Sequence, residues 1–168
     1  GLLHNSDGEW LAITEAVEYA LAESTGVSFS RLDEAQVIIL TVWFPHRDEC
    51  VMQLAQKGIK CGFMMLNPDL PLPQNLEKIL GKEKGKVIIG FIMEPEFLRK
   101  IRNERIINLG LNYMEYKADQ EVVRQEIEFA QNIYRQLNCP VIDITNLNSK
   151  DIINQILLKI QEQREEAE

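Results

Sequence analysis

Apolar positions recur along this chain in two alternating rhythms. Residues 9–23 set Trp10, Ile13, Val17 and the pair Ala20 and Leu21 three and four apart, which predicts one stripe of a helix closed by Gly26. The β-branched run Val37-Ile38-Ile39 within 36–42 predicts a strand buried on both faces. A helix over 48–57 follows, stopped by Gly58, and 60–66 is a second buried strand. Asn67-Pro68-Asp69 and Leu70-Pro71-Leu72-Pro73 then make an extended, proline-stiffened stretch. A short helix over 74–80 and a loop over 81–85 lead to a third strand over 86–93, built on Val87, Ile88, Ile89, Phe91 and Ile92. Pro95 suits the first turn of a helix running to residue 105. A long helix over 116–137 carries Val123, Ile127, Ala130, Tyr134 and Leu137 on one face. Pro140 introduces a last strand over 141–144, and Asn148 or Ser149 can cap a final helix carrying Ile153, Ile156, Leu157 and Ile160. The charged end, 161–168, is expected to fray.

Strands alternating with helices at this spacing specify parallel pairing, because each crossover must return the chain to the same end of the sheet. The expected fold is α/β: an open, mainly parallel four-stranded sheet with helices on both faces, P-loop-kinase-like, formed by residues 1–168 as a single domain. In such sheets the ligand crevice lies beyond the carboxyl ends of the strands, so the loops of interest are 41–48, 66–73, 93–95 and 145–149.

Charge narrows the partners. The chain has 26 acidic against 18 basic residues for a net charge of −8, which argues against nucleic-acid and anionic-membrane binding. Residues 1–46 hold seven acids and one base, Arg31, whereas 57–105 hold ten bases and six acids. An anionic partner is therefore sought at the middle third. Cys50, Cys61 and Cys139 have no C-x-x-C spacing, so three reduced thiols of a cytoplasmic protein are expected, with no zinc site. No apolar run approaches the ~20 residues of a membrane-spanning helix, and no export signal is read. The opening Gly1-Leu2-Leu3-His4 lacks a methionine, as a domain cut from a longer protein would.

Candidate chemistry is sparse. Gly81-Lys82-Glu83-Lys84-Gly85-Lys86 is not a phosphate loop: its glycines are one residue too close, no Ser or Thr follows Lys86, and it precedes a strand. The turn after the first strand, Thr41-Val42-Trp43-Phe44-Pro45-His46-Arg47-Asp48, has no glycine to open a backbone cradle, and Pro45 lacks a donor. Asp48 and Glu49 place negative charge where a helix N-terminus would otherwise hold a phosphate. Trp43 and Phe44 read as packing residues, and His46 and Arg47 as anion contacts or plain surface. Arg102 and Arg105, three apart, can grip a phosphate or carboxylate together, or form surface ion pairs with Glu94, Glu96 or Glu104. Asp143, near the end of the last strand, is a crevice residue or a solvated one.

In order and spacing, these segments resemble a known family. Ile13-Thr14-Glu15-Ala16-Val17-Glu18-Tyr19-Ala20-Leu21-Ala22, then Leu32-Asp33-Glu34-Ala35-Gln36-Val37-Ile38-Ile39-Leu40, Gly58-Ile59-Lys60 and Leu70-Pro71-Leu72-Pro73 carry the resemblance. Gly90-Phe91-Ile92-Met93-Glu94-Pro95-Glu96-Phe97-Leu98 with Ile101-Arg102 and Arg105 is similar to the family's G-x-T-x-x-P-x-x-L…I-R-x-x-R, and Val141-Ile142-Asp143-Ile144-Thr145 to its final strand. The family is that of the pyruvate, phosphate dikinase and phosphoenolpyruvate synthase regulatory proteins, and the match is to their C-terminal domain, with the N-terminal domain absent from this chain. The resemblance implies bifunctional enzymes that phosphorylate a threonine of the dikinase or synthase with ADP and remove it with inorganic phosphate. ADP and Mg²⁺ are the cofactors it implies, and the dikinase or synthase the protein target.

The chemistry-bearing positions depart from that pattern. The family's strand continues into G-V-S-R-x-x-K-T-P. Here Thr41 replaces the glycine, Trp43 the serine, Phe44 the arginine, Arg47 the lysine, Asp48 the threonine and Glu49 the proline, and only Val42 is kept. The family's H-D-D-G is Glu23-Ser24-Thr25-Gly26, and Tyr113 is the counterpart of a shifted tyrosine. Arg102, Arg105 and, loosely, Arg47 carry over as phosphate contacts. The expectation is a regulatory-protein-type domain that has lost standard nucleotide-dependent catalysis and acts as a binding module. Two alternatives are an active kinase/phosphorylase with a site rebuilt from His46, Arg47, Arg102 and Arg105, and a small-anion sensor using the basic middle segment.

Overall fold

A computed structural model describes residues 2–24, 29–81, 85–110 and 120–167. Four strands, β1 (Val37–Thr41), β2 (Cys61–Met65), β3 (Val87–Ile92) and β4 (Val141–Asp143), form one sheet in the order β2-β1-β3-β4. Every neighbouring pair is parallel, with Leu40 opposite Gly90 and Ile38 flanked by Gly62 and Ile88. All five residues of β1 are buried, as a strand covered on both faces requires. The helices among the described residues are α1 (Leu2–Ser24), α2 (Arg47–Ala55), α3 (Leu76–Leu80), α4 (Pro95–Asn108), α5 (Gln120–Leu137) and α6 (Ser149–Ala167), with a 3₁₀ turn at Phe29–Glu34.

Crossovers place those helices on opposite faces. The chain passes from β1 through α2 to β2 in one direction and from β3 through α4 and α5 to β4 in the other, and right-handed crossovers then put α2 and α5 on opposite sides. Side-chain contacts agree. Tyr134 of α5 lies on Gly90, and on the same face of the sheet Tyr19 of α1 and Leu32 press on Gly62, where a Cβ would come within 2.9 and 2.6 Å of them. On the other face Phe63 and Phe91 meet Phe44 with ring centroids 5.8–6.2 Å apart.

The expected stripe on α1 holds only in part, with Ala20 buried and Val17 packed against the core. Ala16, Tyr19 and Ala20 are buried, whereas Trp10 and Leu21 are 71% and 55% exposed. Tyr19 extends over Gly62 and donates its hydroxyl to the Arg31 carbonyl at 3.1 Å, so the helix docks through the face that carries Ala16, Tyr19 and Ala20. The charged end is also not frayed among the described residues: α6 continues to Ala167, supported by Lys159–Glu162 and Gln161–Glu165 contacts. Asn148 provides the cap, its Oδ1 accepting from the Asp151 amide at 2.8 Å. The helix after Pro95 runs to Asn108, three residues beyond its expected end. Gly26, residues 82–84 and residues 116–119 lie outside the described residues.

No disulfide joins the cysteines. Cys50, fully buried in α2, has its thiol pushed up to about 12, first by burial and then by the neighbouring Glu49 carboxylate. Burial also raises the Tyr134 phenol. Both groups keep their proton in the folded chain at pH values where the unfolded chain loses it. Their stabilising effect is complete below about pH 9 and declines as pH rises toward 12, at a limiting slope of about 1.4 kcal/mol per pH unit for each. Urea unfolding between pH 8 and pH 11 should show this decline, and Cys50→Ala should flatten it. An unchanged slope in that variant would refute the assignment to Cys50.

Candidate functional site

Because β1 leads away toward β2 and β3 toward β4, the chain leaves two adjacent strands in opposite directions, opening a crevice at their carboxyl ends. Residues 42–46 form one wall. Val42 and Phe44 are buried, Phe44 stacking edge-on against Phe91, while Trp43 is 42% exposed. The Thr41 hydroxyl, fully buried, donates to the Val42 carbonyl at 2.8 Å. Positive φ angles occur at Gly58, Gly81, Gly85, Gly110, Asn138 and Asn146 among the described residues, none of them in this turn. His46 is the residue preceding α2, its ring 3.8 Å from Glu49, and Asp48 and Glu49 occupy the first helical turn.

Arg102, on α4, reaches across to that turn. Its Nε and Nη2 donate to the Trp43 carbonyl at 3.0 and 2.9 Å, and Nη2 also donates to Glu126 of α5 at 2.6 Å. The guanidinium lies 5.6 Å from the centre of the Trp43 ring. The two charged side chains are only 11% and 17% exposed, so the pair sits in a poorly solvated corner. On the far wall the Glu94 amide donates to Thr145 Oγ1 at 2.9 Å, and the Thr145 amide to Asp143 Oδ1 at 2.9 Å. Beneath, the Tyr134 hydroxyl donates toward the carbonyls of Leu40 and Phe91, 2.8 Å from each, joining the ends of β1 and β3.

The expected residues are thus brought together only in part. Arg102 is at the crevice, Arg47 opens α2 half-buried, and Arg105 stands exposed in the last turn of α4. The ion pair foreseen between Arg102 and Glu94, Glu96 or Glu104 forms instead with Glu126, while Glu96 pairs with Arg99 at 2.9 Å. Glu126 could have been found: it lies three residues after Val123 and four before Ala130, an acid on the buried stripe of α5. Trp43 is a partner of Arg102 as well as a packing residue. Asp143 closes a local turn. Lys86 is structural, its Nζ donating to the carbonyls of Leu32 and Asp33 at 2.6 Å. Among the described residues no cluster of His, Cys, Asp and Glu is placed to hold a metal, and no helix is long and apolar enough to cross a membrane. Tyr113 lies outside them.

An open parallel α/β sheet with a crevice where β1 and β3 diverge defines a domain of the doubly wound class. The chain belongs to the kinase/pyrophosphorylase family, whose profile matches residues 1–157. It is 36% identical over 157 residues to a protein of Syntrophomonas wolfei named as pyruvate, phosphate dikinase regulatory protein 2, covering 94% of this chain and 56% of that protein. Proteins named as pyruvate, phosphate dikinase regulatory protein from Thermoanaerobacter sp. (strain X514) and Streptococcus sanguinis are 33% and 32% identical, over 93% and 87% of this chain and 56% and 52% of theirs. The chain spans about half the length of the curated relatives it matches.

Proposed function

We propose that this domain is a regulatory module of the pyruvate, phosphate dikinase regulatory type that binds a protein target in the cytoplasm without standard nucleotide-dependent phosphoryl transfer. The observation carrying this reading is the turn after β1. Cradling a diphosphate takes several backbone amides converging on it, which requires left-handed residues, and residues 42–46 have none while Pro45 offers no donor. The charge that would steady a transferring phosphoryl group is also engaged elsewhere, since Arg102 is paired with Glu126 and the Glu94 amide with Thr145. The residues present do not fit a Mg²⁺-bound diphosphate.

Arg47, Arg102 and Arg105 remain the residues this reading assigns to phosphate contact, with Arg102 able to act only once released from Glu126. An active enzyme rebuilt from His46, Arg47, Arg102 and Arg105 would need that release. A general anion sensor on the basic middle segment is disfavoured because Lys86, Arg99 and Arg102 are already engaged within the chain. Calorimetric titration with ADP and Mg²⁺ should give no micromolar binding, and incubation with a dikinase and ADP should transfer no phosphate to it. Micromolar affinity, or transfer abolished by Arg102→Ala, would overturn the proposal.

A further inference from the structure

We infer that Glu126 is the internal occupant of a latent oxyanion site built by Arg102 beside Trp43, so that an external phosphate or carboxylate binds only by displacing it. The inference rests on the reading of the crevice given above and names how that crevice is kept closed. Three observations carry it. First, the Glu126 carboxylate meets Arg102 at 2.6 Å as an anionic ligand would, but from α5, a helix that otherwise turns apolar side chains inward. Second, the guanidinium is held in place independently of Glu126, by two hydrogen bonds to the Trp43 carbonyl and by the Trp43 ring. Removing the carboxylate therefore leaves a positioned cation in a corner where the Arg102 side chain is 11% exposed, and a buried cation without a partner favours capture of an anion. Third, the Arg102 Nη1 group makes no hydrogen bond among the described residues, leaving donors for a second oxygen.

The site's ligand class follows from this donor set. A planar fork of N–H groups takes two oxygens of one phosphate or carboxylate, and Trp43, partly exposed, supplies an apolar flank. Arg105, one turn further along α4, is exposed and adds attraction rather than a fixed contact.

Glu126→Gln removes the charge and keeps the shape. Binding of inorganic phosphate and, separately, of acetate is measured by calorimetry and by thermal shift for the wild type, E126Q and the double variant R102Q/E126Q, against sodium chloride of equal ionic strength. E126Q should bind phosphate at least tenfold more tightly than the wild type, and the double variant should lose that gain. A gain with phosphate alone assigns a phosphoryl ligand, and a gain with both anions a carboxylate-bearing one. No gain with either, or a gain that persists without Arg102, overturns the inference. Should E126Q not fold, Glu126→Asp decides: it withdraws the carboxylate by one methylene and should show a smaller, Arg102-dependent gain, whose absence overturns the inference equally. Micromolar ADP binding by the wild type would sink the preceding proposal. A wild type silent toward ADP with an E126Q variant no better at phosphate would leave that proposal standing and remove this one.

Discussion

Gly90→Ala is expected to lower stability by about 3 kcal/mol or more, the upper end of what overpacking costs, and so to reduce the thermal midpoint by about 6–12 °C. A Cβ at this position would stand 2.7 Å from Cδ1 and Cε1 of Tyr134 and 2.8 Å from Cδ2, closer than real side chains approach. Tyr134 has little freedom to yield. It is 3% exposed, and its hydroxyl is anchored on the Leu40 and Phe91 carbonyls, so moving the ring breaks bonds at the ends of both central strands. Thermal unfolding of G90A, Tyr134→Leu and the double variant forms a cycle in which the clash is isolated. Alanine at 90 should cost markedly less when Tyr134 is already leucine, and strictly additive losses would refute the account.

Arg102→Ala is expected to cost about 2–3 kcal/mol. The figure is lower than for a fully sealed pair because some solvent reaches both groups. It arises mainly from what is left behind: a Glu126 carboxylate that is 17% exposed with its partner gone, and a Trp43 carbonyl deprived of two donors. The prediction separates removal of one partner from removal of both. In urea titrations Arg102→Ala should be the worse variant, while Arg102→Met combined with Glu126→Leu should recover most of the loss, since an apolar pair of similar size leaves no buried charge. If the double variant is as unstable as Arg102→Ala, the penalty comes from the Trp43 carbonyl left without its two donors, and the explanation by an unpaired Glu126 charge fails.

The two tests address the same corner from below and above. Tyr134 fixes the ends of β1 and β3, and Arg102 ties α4 and α5 to the turn that follows β1. A crevice held at these two points has its walls set before any ligand arrives, and for that reason the charge balance at Arg102 is expected to govern what enters it.

Much of the frame is legible in the sequence. Val37-Ile38-Ile39 and Val87-Ile88-Ile89 can only be strands buried on both faces, and Pro95 and Asn148 mark helix starts by removing or capping amide donors. These signals are local: period, branching and capping act within a few residues, so spacing along the chain carries them. On α1 that logic went only part of the way: Ala20 is buried and Val17 packs against the core as the period requires, but Trp10 and Leu21, which match it equally well, are exposed, while Ala16 and Tyr19 are buried. Packing of Tyr19 over Gly62 set the rotation of the helix.

The sequence by itself determined an α/β order of elements and a turn after β1 with no glycine and one proline, which restricts what its backbone can do. Only the tertiary structure decided what Arg102 does. Its partners Trp43 and Glu126 lie 59 and 24 residues away and come together because the β2-β1-β3-β4 order folds α4 and α5 over the end of β1. A charge pair depends on distance and solvent exclusion in space, and no pattern of neighbours along the chain encodes either.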